Sequence, residues 1–103
     1  MSNKKESVIT LNFDDKSISS LAGYDFGERT YLKQVDGKID SQADEIIIIF
    51  PDEKSGVASS FIEGFFNKLK EDIGLTQIRK KVKIKSKYPG VVSKINNELY
   101  FED

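Results

Sequence analysis

Alternation of apolar and polar residues predicts three strands. The first covers residues 8–13, where Ile9 and Leu11 share one side. The second covers residues 45–50, where four isoleucines and a phenylalanine follow Glu45 without a polar break. Such a run is typical of a strand that is buried on both faces. The third is centred on Val82 and Ile84, which alternate with lysines.

Apolar residues at helical spacing predict three helices between and after these strands. One is expected near 24–36, although Gly27 weakens it, and Gly37 is the predicted C-cap. The second carries the clearest apolar stripe: Phe61, Ile62, Phe65, Phe66, Leu69 and Ile73. Ser60 and Glu63 have the spacing of a capping box, and Ser59 is an alternative cap. The third is expected to start at Pro89.

The predicted order is therefore β-α-β-α-β-α, which indicates an α/β fold with helices packed on a small mixed sheet. A chain of 103 residues corresponds to one domain with one core. Residues 1–6 and 100–103 are expected to be flexible ends. No long apolar run or export signal is present, so an intracellular, cytoplasmic location without a membrane partner is the expectation.

The composition argues against most catalytic chemistry. The chain contains no His, Cys or Trp, so the commonest general base, thiol nucleophiles and thiolate metal sites are excluded. Paired acids such as Asp14-Asp15 and Asp52-Glu53 have no metal-ligand spacing and lie at predicted turns. We therefore expect a binding or regulatory domain rather than an enzyme, with no metal and no cofactor.

Charge is unevenly distributed although the net charge is only −1. Seven basic and no acidic residues lie between 79 and 94. The basic band is defined here by Arg79, Lys80, Lys81, Lys83, Lys85 and Lys87. If Lys81, Lys83 and Lys85 share one strand face, they suit an acidic protein partner or the phosphates of a nucleic acid. The alternative is an edge strand that lysines protect from aggregation.

The central strand and the helix after it resemble the STAS-like family, which is related to the anti-sigma-factor antagonists. The resemblance is carried by Ile46-Ile-Ile-Ile-Phe50 and by Ser59-Ser60-Phe61 at the start of the next helix. It extends over about residues 8–86. It implies a non-enzymatic regulatory domain that docks on a protein partner such as a kinase-like regulator, and homodimers occur among such domains. The family's Asp-Ser-Ser-Gly phosphorylation motif is Ala58-Ser-Ser-Phe61 in this sequence, so only the two serines match it.

This resemblance directs attention to loop 51–60 and the helix start that follows it. The predicted partner-binding residues are Asp52, Glu53, Lys54, Ser55, Gly56 and Ile62. Ser59 and Ser60 are candidates for a phosphorylation switch, with helix capping as the simpler role. The alternative function is a small inhibitor or nucleic-acid-contacting protein that uses the basic band between residues 79 and 87.

Overall fold

A computed structural model describes residues 5–40 and 42–100 and has the predicted α/β class. Its elements are β1 (Glu6–Thr10), β2 (Ser20–Leu21), α1 (Tyr24–Gln34), β3 (Glu45–Ile49), β4 (Gly56–Val57), α2 (Ser59–Ile73), α3 (Leu75–Lys81), β5 (Val82–Lys85) and α4 (Pro89–Tyr100). The three predicted strands and three predicted helices are present, whereas β2, β4 and α3 were not predicted. Of the ends predicted to be flexible, Glu6 starts β1 and Tyr100 ends α4. Residues 1–4 and 101–103 lie outside the described part.

The main sheet has the order β1-β3-β5, and a second pair is formed by β2 and β4. All strand pairs are parallel, rather than mixed as predicted. The register aligns Ile9, Ile48 and Ile84 in one row and Val8, Ile47 and Lys83 in the next. Because side chains alternate between faces, these two rows lie on opposite faces of the sheet.

The helices pack on the face that carries Ile9, Ile48 and Ile84. The buried core joins this face to apolar residues of α2, α3 and α4, including Phe65, Ile78 and Ile95. Val8, Ile47 and Ile49 do not belong to this core. Successive right-handed crossovers that add strands in one direction place their helices on the same face. β3 is buried at Ile46, Ile47 and Ile48, as the isoleucine run predicted. Of these three, Ile46 and Ile48 belong to the helix-packed core and Ile47 does not.

The helices α1 and α2 touch through two glycines. A Cβ on Gly27 would lie 2.9 Å from the backbone nitrogen of Phe65, and a Cβ on Gly64 would lie 2.8 Å from the carbonyl carbon of Tyr24. Around this crossing, the Phe26 and Phe61 rings and the Tyr31 and Phe65 rings meet edge to face. Gly27 thus supports the packing of α1, although its low helix propensity weakens the helix itself.

A helix that was not predicted follows α2. Gly74, with φ of 83°, ends α2, and α3 begins at the next residue. A left-handed φ suits glycine because it has no Cβ. Arg79, Lys80 and Lys81 consequently lie in the last turn of α3 and not on a strand.

Candidate protein-docking surface

The 51–58 segment is hydrogen-bonded to the loop that follows β1. The amide of Ser55 donates to the Ser19 carbonyl at 2.9 Å, and the amide of Ala58 donates to the Leu21 carbonyl at 2.7 Å. Between these bonds, β4 pairs with β2. Because β1 and β3 are parallel, both segments leave the same end of the sheet, where side chains from different loops meet. We call residues 14–22 and 51–58 together the loop layer.

Lys54 fastens the loop layer from inside. Its side chain is only 2% exposed. The ammonium donates to the carbonyl oxygen of Asp15 at 2.8 Å and to that of Ile18, and it lies 5.5 Å from the centroid of the Phe13 ring. A buried lysine is tolerated when its charge is met by such partners. The sequence had suggested Lys54 as a partner-binding residue. Because its side chain is buried, it is not available on the surface for that role.

The other predicted docking residues differ in how exposed they are. Asp52 and Ser55 are exposed. Glu53 is half-buried, and its carboxylate is 3.0 Å from the Lys16 ammonium; that hydrogen bond lowers the pKa of the Glu53 carboxyl. Ile62, in contrast, is 3% exposed and belongs to the core, so its proposed role in docking is wrong.

Gly56 lies in β4 and is half-buried. A Cβ at this position would lie 3.0 Å from the Ser20 hydroxyl oxygen on the neighbouring strand. The absence of a side chain thus lets the two segments approach closely. Gly56 shapes the loop layer rather than offering a contact to a partner.

Ser59 and Ser60 start α2 without capping it. The N-cap is Ala58, and no side chain forms a cap hydrogen bond, so the capping prediction is wrong. The Ser59 hydroxyl donates to the Glu98 carboxylate at 2.5 Å and links α2 to α4. The Ser60 hydroxyl accepts a hydrogen bond from the Gly23 amide at 3.0 Å. A phosphate on Ser59 would repel the Glu98 carboxylate, whereas Ser60 is exposed.

A groove of about 650 Å³ lies between the loop layer and the outward side of α1. Its apolar lining includes Phe13, Ile18 and Phe26. Ile18 is 53% exposed and Phe26 is 37% exposed, which is high for side chains of this size. Grooves that combine apolar walls with a few polar groups are the usual form of a binding site. The sequence did not predict this groove, because it depends on how the loop after β1 folds beside α1.

Basic side chains rim the groove on the α1 side. Arg29 and Lys33 lie one helical turn apart and line it. Within the described residues, neither side chain has a hydrogen bond or ion pair. Lys38 also lines the groove, and its ammonium donates to the Lys33 carbonyl at 2.9 Å. Among the residues that the structure describes, Arg29 and Lys33 are therefore cations that a bound group could pair with.

The opposite rim carries Asp14 and Asp15, but Asp15 is occupied locally. Its carboxylate accepts hydrogen bonds from the hydroxyl of Ser17 at 2.6 Å and from the amide of Ser17 at 3.0 Å. These bonds lower the pKa of the Asp15 carboxyl, the hydroxyl having the larger effect. At the other end, the Gln34 side chain exchanges two hydrogen bonds with the backbone of Asn12. The loop wall is thus held in place at both ends.

The basic band is divided among several elements. Lys83 and Lys85 are exposed on β5, which is an edge strand as one interpretation predicted. Lys81 ends α3, so the expectation of three lysines on one strand face is wrong. The Arg79 guanidinium donates to the Leu99 carbonyl at 2.7 Å. Two further exposed members, Lys80 in α3 and Lys87 before α4, lie on other elements.

The acidic pairs show no metal-binding arrangement within residues 5–40 and 42–100. Asp40, for example, pairs with Lys5 at 2.7 Å, and the hydrogen bond from Lys5 lowers the pKa of its carboxyl. Over the same residues, no helix is long and apolar enough to cross a membrane.

Comparisons with known proteins give no match to this chain, either among protein-family models, among curated proteins or among solved structures.

Proposed function

We propose that this chain is a non-enzymatic protein-interaction module whose docking surface is the loop layer together with the groove beside it. The observation that carries the proposal is the groove, in which exposed Ile18 and Phe26 lie next to Arg29 and Lys33. Neither basic side chain has a partner among residues 5–40 and 42–100. Exposed apolar groups beside charges without partners are typical of binding surfaces.

The lining defines the partner segment by its chemistry. An apolar side chain of the partner would bury against Ile18 and Phe26, while carboxylates or a phosphate would meet Arg29 and Lys33. The proposed surface includes the exposed Asp52 and Ser55, which the sequence had suggested. It excludes Lys54 and Ile62, because both are buried. A regulatory role and a kinase-like partner are implied by the STAS-like resemblance and remain predictions.

Site-specific photo-cross-linking in cells of the source organism tests the proposal. A photoreactive phenylalanine analogue replaces Ile18, and in a control protein it replaces Glu71, which is exposed on α2. We expect a discrete cross-linked protein from position 18 and not from position 71. Adding Arg29→Glu and Lys33→Glu should reduce its yield by about tenfold, since two favourable charge contacts become repulsive.

A matched control separates this effect from a change in net charge. Lys80→Glu with Lys94→Glu alters two exposed lysines outside the groove by the same amount. This variant should retain the cross-link. Equal loss in both double variants, or the same cross-linked protein from position 71, would contradict docking at the groove.

A further inference from the structure

The face of the main sheet opposite the helices is a second surface, separate from the groove. Parallel sheets are usually covered on both faces, since each face carries apolar side chains. In this chain the helices cover the face of Ile9, Ile48 and Ile84. On the opposite face Val8 is exposed, and Ile47 lies outside the core that the described helices form.

Three apolar side chains form the centre of this face. Val8 is 51% exposed. The register places it beside Ile47, which is 8% exposed although it lies outside the helix-packed core. Ile49 lies two residues further along β3 and therefore on the same face. A short apolar stripe thus runs over β1 and β3.

Lysines border the stripe on the β5 side. Lys83 lies beside Ile47, and Lys85 lies beside Ile49. Within the described residues neither lysine has a hydrogen bond or ion pair. On the β1 side the corresponding positions are Glu6 and Thr10, both exposed. The face therefore has a basic edge and an opposite edge that is acidic at one end.

We propose that this face binds one amphipathic helix of a partner protein, with acidic residues along the flank that lies over β5. The apolar side of that helix covers Val8, Ile47 and Ile49, and its carboxylates pair with Lys83 and Lys85. This binding goes beyond the function proposed for the groove and does not depend on it. It also gives Lys83 and Lys85 a partner other than nucleic acid.

The dimensions favour a single helix over a second copy of this chain. Three strands place the outer two axes roughly 10 Å apart, and five residues extend roughly 17 Å. A helix with its side chains is about 10 Å wide and covers this length in about 11 residues. The face is far smaller than the roughly 800 Å² that each partner buries in a stable interface. Its size therefore suits a weak contact with one short helix rather than a permanent dimer.

The test uses a displayed library of helical peptides about 14 residues long. Their core positions are Leu, Ile, Val or Ala, and both flanks are randomised. We expect the selected helices to carry acidic residues on one flank. Their binding should change the NMR chemical shifts of backbone amides in β1, β3 and β5. Lys83→Glu with Lys85→Glu should weaken binding by about tenfold or more. Val8→Asp should do the same by placing a charge in the apolar stripe.

Two controls separate this surface from others. Lys80→Glu with Lys94→Glu makes the same change in net charge on exposed residues of α3 and α4 and should leave peptide binding within about twofold. Arg29→Glu with Lys33→Glu should also leave it unchanged, so that failure here and failure of the groove proposal are distinguishable. Circular dichroism of each variant establishes that it is folded.

Several outcomes would overturn the inference. They are the selection of no helix, the selection of helices without acidic flanks, and binding that is insensitive to Lys83→Glu with Lys85→Glu. A dimer measured by light scattering that Val8→Asp dissociates would assign the face to a second copy. Salt-dependent binding of a single-stranded oligonucleotide that needs Lys83 and Lys85, with no helix selected, would assign the lysines to nucleic acid.

Discussion

The glycine contact between α1 and α2 yields a quantitative prediction for two substitutions, Gly27→Ala and Gly64→Ala. The new methyl group would meet backbone atoms of the facing helix: the Phe65 nitrogen at 2.9 Å from position 27, and the Tyr24 carbonyl carbon at 2.8 Å from position 64. The carbonyl oxygen of Phe61 lies closer still to the methyl group at position 27, and that of Tyr24 lies closer still to the methyl group at position 64. Backbone atoms within a helix cannot move aside individually, so the two helices must separate.

The size of the effect follows from three contributions. Restoring an ordinary contact of about 3.5 Å requires a separation on the order of 1 Å, and such overpacking costs about 1–3 kcal/mol. Separation also weakens the Phe26–Phe61 and Tyr31–Phe65 ring pairs, whose centroids are 5.4 Å apart. Each pair contributes about 0.5–1.5 kcal/mol. Alanine's better helix propensity offsets about 1 kcal/mol. The free energy of unfolding should therefore fall by about 2 kcal/mol for either substitution.

Urea unfolding followed by far-ultraviolet circular dichroism measures this loss. The midpoint should fall by about 1 M urea with an unchanged slope. Gly90→Ala is the matched control, because Gly90 is also helical and a Cβ there meets nothing within 4 Å. That substitution should stabilise by about 0.5 kcal/mol. If Gly27→Ala and Gly64→Ala are as stabilising as Gly90→Ala, the close backbone contact does not exist.

Two further predictions concern Lys54 and Tyr31. Lys54→Met leaves the Asp15 and Ile18 carbonyls without their donor and should lower the free energy of unfolding by about 2 kcal/mol; unchanged amide hydrogen exchange in residues 14–22 would contradict this role. Burial raises the pKa of the Tyr31 phenol to about 12, so its neutral form stabilises the fold below pH 10 and this contribution is lost as the pH rises to about 12. Absorbance titration at alkaline pH should show one late tyrosine, absent in Tyr31→Phe, and titration of every tyrosine near pH 10 would refute it.

The groove and the sheet face opposite the helices carry different basic residues. Arg29 and Lys33 belong to α1 and the groove, whereas Lys83 and Lys85 belong to β5 and the sheet face. Charge reversal at one pair should therefore leave the other surface intact. If both proposals hold, two different protein partners can bind at separate surfaces of this chain.

The local pattern of apolar residues was sufficient to predict β3 and α2. Four consecutive isoleucines favour a strand, and the stripe from Phe61 to Leu69 favours a helix with one buried side; both are present. The stripe is also buried, since Phe61, Phe65, Phe66 and Leu69 all lie in the core. Hydrophobic spacing carries this information because it depends only on the periodicity of the chain.

Tertiary structure alone decided what lies against each element. The sequence could not show which face of β3 packs against the helices, because that depends on the order in which strands join the sheet. Lysine is usually a surface residue. Lys54 is buried because the 14–18 loop supplies carbonyl groups that accept hydrogen bonds from its ammonium. Gly27 similarly appears as a weak helix position until Phe61 and Phe65 of α2 lie against it. Contacts between residues distant along the chain set burial and charge pairing, and these in turn set which surfaces are free to bind.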